Sequence, residues 1–165
     1  MKSSFLCFIW LKIIDSFQKI CIIKTAFDME TKMKTVFLSG PMRGVPRDIA
    51  KAWRDEAALL LKEKFLTLHA YRGREDKETF PDPKGAVLRD KQDIRRSDIV
   101  LVNDTFEGAS MIGTSMEVLY AYNCEKIIIV FGNAHKGDYW LDFHCTMRVE
   151  NLQQACEICL KLFHD

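Results

Sequence analysis

Apolar residues along the chain gather in short unbroken blocks, separated by longer stretches of mixed character. The blocks are KTVFLSG (34–40), FLTLHAY (65–71), DIVLVN (98–103) and KIIIVFG (126–132). Each carries successive branched, aliphatic or aromatic residues with little polar alternation, as expected of strands buried on both faces. The stretch DIAKAWRDEAALLLKEK (48–64) repeats instead at helical spacing. It puts Ile49, Trp53, Ala57, Leu60 and Leu61 on one face, with Asp48 placed to cap it. AVLRDKQDIRRS (86–97) reads as a second helix and the stretch holding Glu117 as a third. NLQQACEICLKLF (151–163) closes the chain as a helix capped by Asn151. The polar GREDKETFPDPKG (73–85) and the aromatic-bearing NAHKGDYWLDFHCTM (133–147) read as loops.

Strands that alternate with helices predict a single-domain α/β fold. The expected architecture is a parallel sheet of four to five strands in a three-layer, Rossmann/flavodoxin-like sandwich. Ligands in such sheets bind at the carboxyl ends of the strands. That rule groups three loops: the one after Phe37–Leu38, the one after Val100–Val102 and the one after Val130–Phe131. No internal repeat or low-complexity segment is visible.

Composition narrows the class. With 165 residues, 48% hydrophobic and 28% charged, the chain is long enough for one core. A net charge of +1 gives no basic surplus, and no nucleic-acid motif is present, so no nucleic-acid partner is expected. No stretch approaches the roughly 20 uninterrupted apolar residues of a membrane span, and no membrane partner is expected. The six cysteines permit disulfides, but the α/β pattern points to the cytoplasm, where thiols stay reduced. Cys156 and Cys159 form a C-x-x-C inside a helical pattern, which favours the buried side of that helix over metal or redox work.

Residues 1–32 differ from the rest, being rich in Ile, Phe and Lys and free of Gly and Pro. They read as a dispensable extension or a misassigned start, with Met29 or Met33 opening the domain at 33–165. An accessory amphipathic helix is the next reading. A secretion signal fits least, since Lys12 interrupts the apolar run and no small-residue cleavage site follows.

Three features bear chemistry. In the loop SGPMRGVPRD, Gly40 and Gly44 permit close backbone approach, and the helix that follows offers free amides to an anion. It is neither a Walker loop nor G-x-G-x-x-G; a plain strand-to-helix turn remains an equal reading, and Arg43 is either a phosphate ligand or a surface arginine. In RDKQDIRRSD, Asp98 is placed to cap the preceding turn and Asp93 to pair with a nearby Lys or Arg, while Asp90 is the candidate for function. Glu117 lies about a turn into a helix that Gly113, Thr114 and Ser115 open. There the positive helix end would stabilise its anion for use as base or nucleophile. The competing reading is a capping box between Thr114 and Glu117. His135 and His144 lack metal-like spacing to acidic partners, so no metal and no cofactor are expected.

The segments TVFLSGPMRG, RDKQDIRRSDIVLV and MIGTSMEVLYAYNCEKIIIVFG resemble the nucleoside 2-deoxyribosyltransferase superfamily, whose relatives include 2′-deoxynucleoside 5′-phosphate N-hydrolases. The likeness runs from about Lys34 to the C-terminus, and its most specific parts are G-x-x-x-E at Gly113–Glu117 and D-x(7)-D at Asp90–Asp98. The resemblance implies that Glu117 attacks C1′ of the sugar, expels the base and forms a glycosyl ester. A second base or water then attacks, by the retaining logic of carboxylate glycosidases. It implies that Asp90 assists proton transfer to the leaving base. Ser39, Gly40, Pro41, Met42, Arg43 and Gly44 would line the pocket together with Ser110, Met111, Gly113 and Ser115. The implied partners are a nucleoside or nucleotide and a free nucleobase, and the implied assembly is a homodimer or larger homo-oligomer.

Two positions depart from the family pattern. Phe37 stands where a tyrosine hydroxyl usually bonds the nucleophile, so the carboxyl pKa should rise and its aim loosen. Met111, beside Ser110, stands where transferases carry Asp and nucleotide hydrolases Ser. Trp140 and Tyr139 are read as packing at an interface rather than stacking on a base.

Overall fold

The computed structural model describes residues 33–72 and 82–163. The head at 1–32 and residues 73–81 of the first polar loop lie outside the described residues.

Among the described residues ten elements alternate: β1 (Lys34–Ser39), α1 (Arg47–Leu61), β2 (Phe65–His69), α2 (Pro83–Arg96), β3 (Ile99–Asn103), α3 (Ile112–Asn123), β4 (Ile127–Phe131), α4 (Tyr139–His144), β5 (Met147–Val149) and α5 (Leu152–Leu162). All strand pairs are parallel, in the order β2-β1-β3-β4-β5. This is the flavodoxin-like doubly wound order, and the expected α/β sandwich is what the chain forms.

Alternation along each strand divides the core in two. Val36, Leu38, Ile99, Leu101, Ile129 and Phe131 face Trp53, Ala57 and Leu61 of α1 and Leu152, Ala155, Cys156 and Cys159 of α5. On the other side Phe37, Val100, Val102, Ile128 and Val130 meet Ile94 of α2, Val118 and Ala121 of α3 and Leu141 of α4. Each fully buried Leu, Ile or Val stabilises by about 1.5–3 kcal/mol. Cys156 and Cys159 are buried free thiols whose pKa values burial pushes up to about 12, as suits packing residues.

Several local expectations are corrected. Pro46, not Asp48, holds the N-cap position of α1, with no side-chain cap. The buried stripe of α1 runs Ala50, Trp53, Arg54, Ala57, Leu61, while Ile49 is 48% exposed. Asp82 caps α2 through Lys84 N–H at 2.9 Å, and the helix begins at Pro83, three residues earlier than expected. Asp98 does not cap the turn before it: its Oδ2 accepts from Thr35 N–H at 2.8 Å and pins the start of β1. The 133–147 stretch is not all loop, since it folds into α4 and the first residue of β5. Both elements are too short, at 6 and 3 residues, for a periodic signal.

Candidate active site

Chain order reverses between β1 and β3: β2 lies on one side of β1, and β3, β4 and β5 follow on the other. Loops leave this switch point in opposite directions and open a crevice at the carboxyl edge. Ser39, the last residue of β1, pairs in register with Val102 of β3. Being two residues beyond Phe37, it faces the α3 side of the sheet.

Glu117, the sixth residue of α3, reaches into this edge. Ser39 Oγ donates to Glu117 Oε2 at 2.5 Å. The capping-box reading therefore fails: α3 starts at Ile112, no side chain caps it, and Thr114 is buried in its first turn. Phe37 lies in the core with none of its surface exposed, and the hydroxyl that holds the carboxyl comes from Ser39 instead.

Over the whole residue Glu117 is half-buried, but its carboxyl group is the enclosed end. Burial raises that carboxyl from its usual 4.5 to about 7, and the nearby Asp90 adds to the rise. The Ser39 hydrogen bond and the Arg54 guanidinium oppose it. Glu117 thus lies beyond the helix turn where the N-terminal dipole acts strongly, and desolvation dominates. At neutral pH it is poised between acid and anion, the condition a nucleophile or proton carrier needs.

Asp90 approaches from α2 with its side chain 15% exposed; Arg89 Nη2 lies 3.5 Å from its Oδ1. Asp93 is structural, as expected: it is held by Arg72 at 2.8 Å and Arg96 at 2.7 Å.

The first loop supplies shape. A Cβ on Gly40 would come within 3.0 Å of both Trp53 Cζ2 and Asn103 Cβ, so only glycine fits without displacement. Pro41 is buried, while Met42, Arg43 and Gly44 are exposed. Ser110 N–H donates to Arg43 O at 3.3 Å and ties the loop after β1 to the loop after β3. Between these loops lies a cleft of about 230 Å³, lined by Gly44, Pro46, Ile49, Thr105, Phe106 and Ala109 among others; Ser39 and Glu117 are not in its walls. Met111 and Ser110 are half-buried and Gly113 is exposed. Ser115 lines a different feature, an apolar groove between α3 and α4 with Met116 and Trp140.

The sequence reading missed several charged residues of this edge. Arg54 is 1% exposed; its Nη2 donates to Gly40 O at 2.9 Å and its Nη1 to Ala50 O. The guanidinium lies 4.4 Å from the Trp53 ring and 5.3 Å from the Tyr71 ring. Burial lowers its pKa to about 10, which leaves it cationic at neutral pH. Its place in the 50-54-57-61 stripe was the available signal. His69, ending β2, is lowered to about 4 by burial and then by Arg54, so it stands as a neutral imidazole. Farther along the edge, Asp104 accepts from Arg148 Nη1 at 2.6 Å and meets His135 Nδ1 at 2.6 Å. Among the described residues no group of three His, Cys, Asp or Glu is placed to hold a metal ion. Nor is any described helix long and apolar enough to cross a membrane.

No protein-family profile and no curated protein matches the chain. Solved structures do. A 2-deoxyribosyltransferase from Bacillus psychrosaccharolyticus superposes with a TM-score of 0.59 at 14% identity, over 73% of this chain and 88% of its own. A conserved protein from Enterococcus faecalis V583 gives a TM-score of 0.62 at 13% identity, over 80% of this chain and 100% of its own. A CMP N-glycosidase from Clostridium botulinum gives 0.54 at 18% identity, over 79% of this chain and 100% of its own. At these identities the likeness is one of fold: the chain shares its architecture with a 2-deoxyribosyltransferase and with a CMP N-glycosidase.

Proposed function

We propose that this protein cleaves the N-glycosidic bond of a nucleoside, with Glu117 as nucleophile, and transfers the sugar to another base. In the first step a Glu117 carboxylate oxygen bonds to C1′ while the C1′–N bond breaks. Its electron pair leaves with the base, which takes up a proton with help from Asp90. In the second step a nitrogen of the incoming base attacks C1′ as its proton passes to Asp90, the ester C–O bond breaks and Glu117 regains its charge. Both transition states are oxocarbenium-like, so an anion beneath C1′ stabilises the developing positive charge.

One observation carries the reading: an enclosed carboxyl, titrating near 7, is held by one short hydroxyl bond at the switch point of a doubly wound sheet. A carboxylate kept for structure would be saturated with donors. The shared fold with a 2-deoxyribosyltransferase and a CMP N-glycosidase supports the same class of chemistry.

A second reading, hydrolysis of a nucleoside 5′-monophosphate, draws on the first loop. Arg43 and Arg47 are exposed there, and α1 begins without a capping side chain, so its first amides are open to an anion. For assembly we propose a homo-oligomer: Ile112 and Met116 of α3 and Tyr139, Trp140 and Phe143 of α4 expose large apolar surfaces that a second copy would cover. Sedimentation as a monomer at micromolar concentration would rule that out.

The test incubates the protein and its Glu117→Ala variant with deoxynucleosides and their 5′-monophosphates, with and without a second free base, followed by chromatography. Exchange of bases by the intact protein alone supports transfer. Release from monophosphates without exchange supports the second reading. Binding of these ligands with no turnover points to a nucleotide-binding protein instead.

A further inference from the structure

We propose that Arg54 is a positioning residue for Glu117: its buried guanidinium grips the loop that extends from Ser39 and sets a fixed positive charge facing both Glu117 and Asp90. The inference rests on the reading of Glu117 as the reacting group.

Arg54 occupies a position in the core-facing stripe of α1 where an apolar side chain would fill the space without desolvating a charge. Among the described residues no carboxylate lies within ion-pair distance of it. Its two terminal nitrogens bond only carbonyls, Ala50 O within α1 and Gly40 O across the loop. Its Nε is buried with no hydrogen-bond partner. A buried cation so incompletely paired costs stability. What it gains is geometry and field.

Two routes connect it to Glu117. The mechanical route runs through the backbone. Arg54 fixes the carbonyl of Gly40, and Gly40 follows Ser39, whose hydroxyl holds Oε2 of Glu117. The planar guanidinium can bridge two carbonyls at once, and Trp53 and Tyr71 hold its plane; an ammonium has no such fork. The electrostatic route is direct. Arg54 favours the anion of Glu117, while Asp90, from α2, disfavours it. Around the guanidinium itself stand Tyr71 and His69 at the end of β2, with Arg47 over the Tyr71 ring and Arg89 beside Asp90. The charge works in both halves of the reaction. It raises the share of ionised Glu117 before attack, and it steadies the carboxylate that departs when the ester breaks.

The test compares the full chain with Arg54→Met, which keeps the volume and removes the charge, and Arg54→Lys, which keeps the charge and loses the fork. Two quantities are read: turnover against pH, and the titration of the Glu117 carboxyl carbon by 13C NMR, assigned by its loss in Glu117→Gln. In Arg54→Met the Glu117 midpoint should rise by about one unit, with about fivefold slower turnover at pH 7 that recovers at higher pH. KM should move less than kcat. In Arg54→Lys the midpoint should stay within about half a unit of the intact protein, while kcat falls at every pH. An unmoved midpoint in folded Arg54→Met overturns the proposal. If that variant does not fold, Arg54→Lys decides: unchanged kcat, or a midpoint displaced as far as about one unit, overturns it. Should the intact protein show no turnover on any nucleoside, the catalytic reading fails by itself, and the carbon titration still judges Arg54.

Discussion

Two carboxylates are buried at the same edge of the sheet, and their surroundings treat them in opposite ways. Asp104, just past β3, is saturated: Arg148, His135 Nδ1 and the backbone N–H of His135 all converge on it, and its side chain has no exposed surface. Glu117, on α3, has one hydroxyl and a guanidinium that bonds elsewhere. The first arrangement joins β3, the loop after β4 and β5 into one unit. The second leaves lone pairs free and the proton easily moved. Burial alone does not mark a functional acid; the number of donors that meet it does.

The largest expected effect comes from removing the poised group. Glu117→Gln should cut base release at least about a thousandfold. It should also stabilise the fold, by about 3 kcal/mol at pH 8. The sign follows from the direction of the shift. The folded state holds the Glu117 proton more tightly than the unfolded chain, so the cost of the buried anion is absent below about 4.5 and complete above about 7. Urea unfolding at pH 4 and pH 8 checks this: a gain of equal size at both would contradict the burial account.

Asp104→Asn should show the reverse profile. It leaves the half-buried Arg148 with Asp142, 3.0 Å from its Nη2, as its remaining carboxylate partner, at a cost of about 1–3 kcal/mol in urea unfolding. The pH midpoint of turnover should stay where it was. A displaced midpoint would mean that the two acids are coupled and the contrast is false.

Ser39→Ala is a smaller change. Losing the hydroxyl that favours the anion should lift the Glu117 midpoint by about one unit and slow turnover at pH 7 about fivefold, with recovery at pH 9. A pH-rate profile reads it directly. Smallest of all is Phe37→Tyr in the intact background. With Ser39 already in place, the new hydroxyl should change turnover less than about threefold, while its burial costs about 1 kcal/mol. In the Ser39→Ala background the same substitution should restore part of the lost rate, because residues 37 and 39 share a face.

How much of this was legible follows physical lines. Four strands announced themselves because both faces of a parallel sheet demand apolar residues, and Asn151 was readable because its cap is a local bond to Gln154 N–H. Glu117 and Asp90 were singled out by their flanks and by resemblance. Three things escaped. Asp104 and Arg148 are 44 residues apart and nothing local links them. α4 and β5 are shorter than any period that could reveal them. Arg54 looked like one of many helical arginines, although its spacing from Ala50, Ala57 and Leu61 put it among buried neighbours. The hydroxyl thought lost with Phe37 was supplied two residues on, which pattern matching by column does not see.

A carboxyl held at about 7 also makes the molecule exchange protons with its medium. A ligand that selects the ionised form of Glu117 must release a fraction of a proton on binding near neutral pH. The heat of binding will then include the buffer's own heat of protonation. Titration calorimetry in two buffers of unlike ionisation enthalpy would return two different apparent heats for one affinity, and their difference counts the protons that Glu117 gives up.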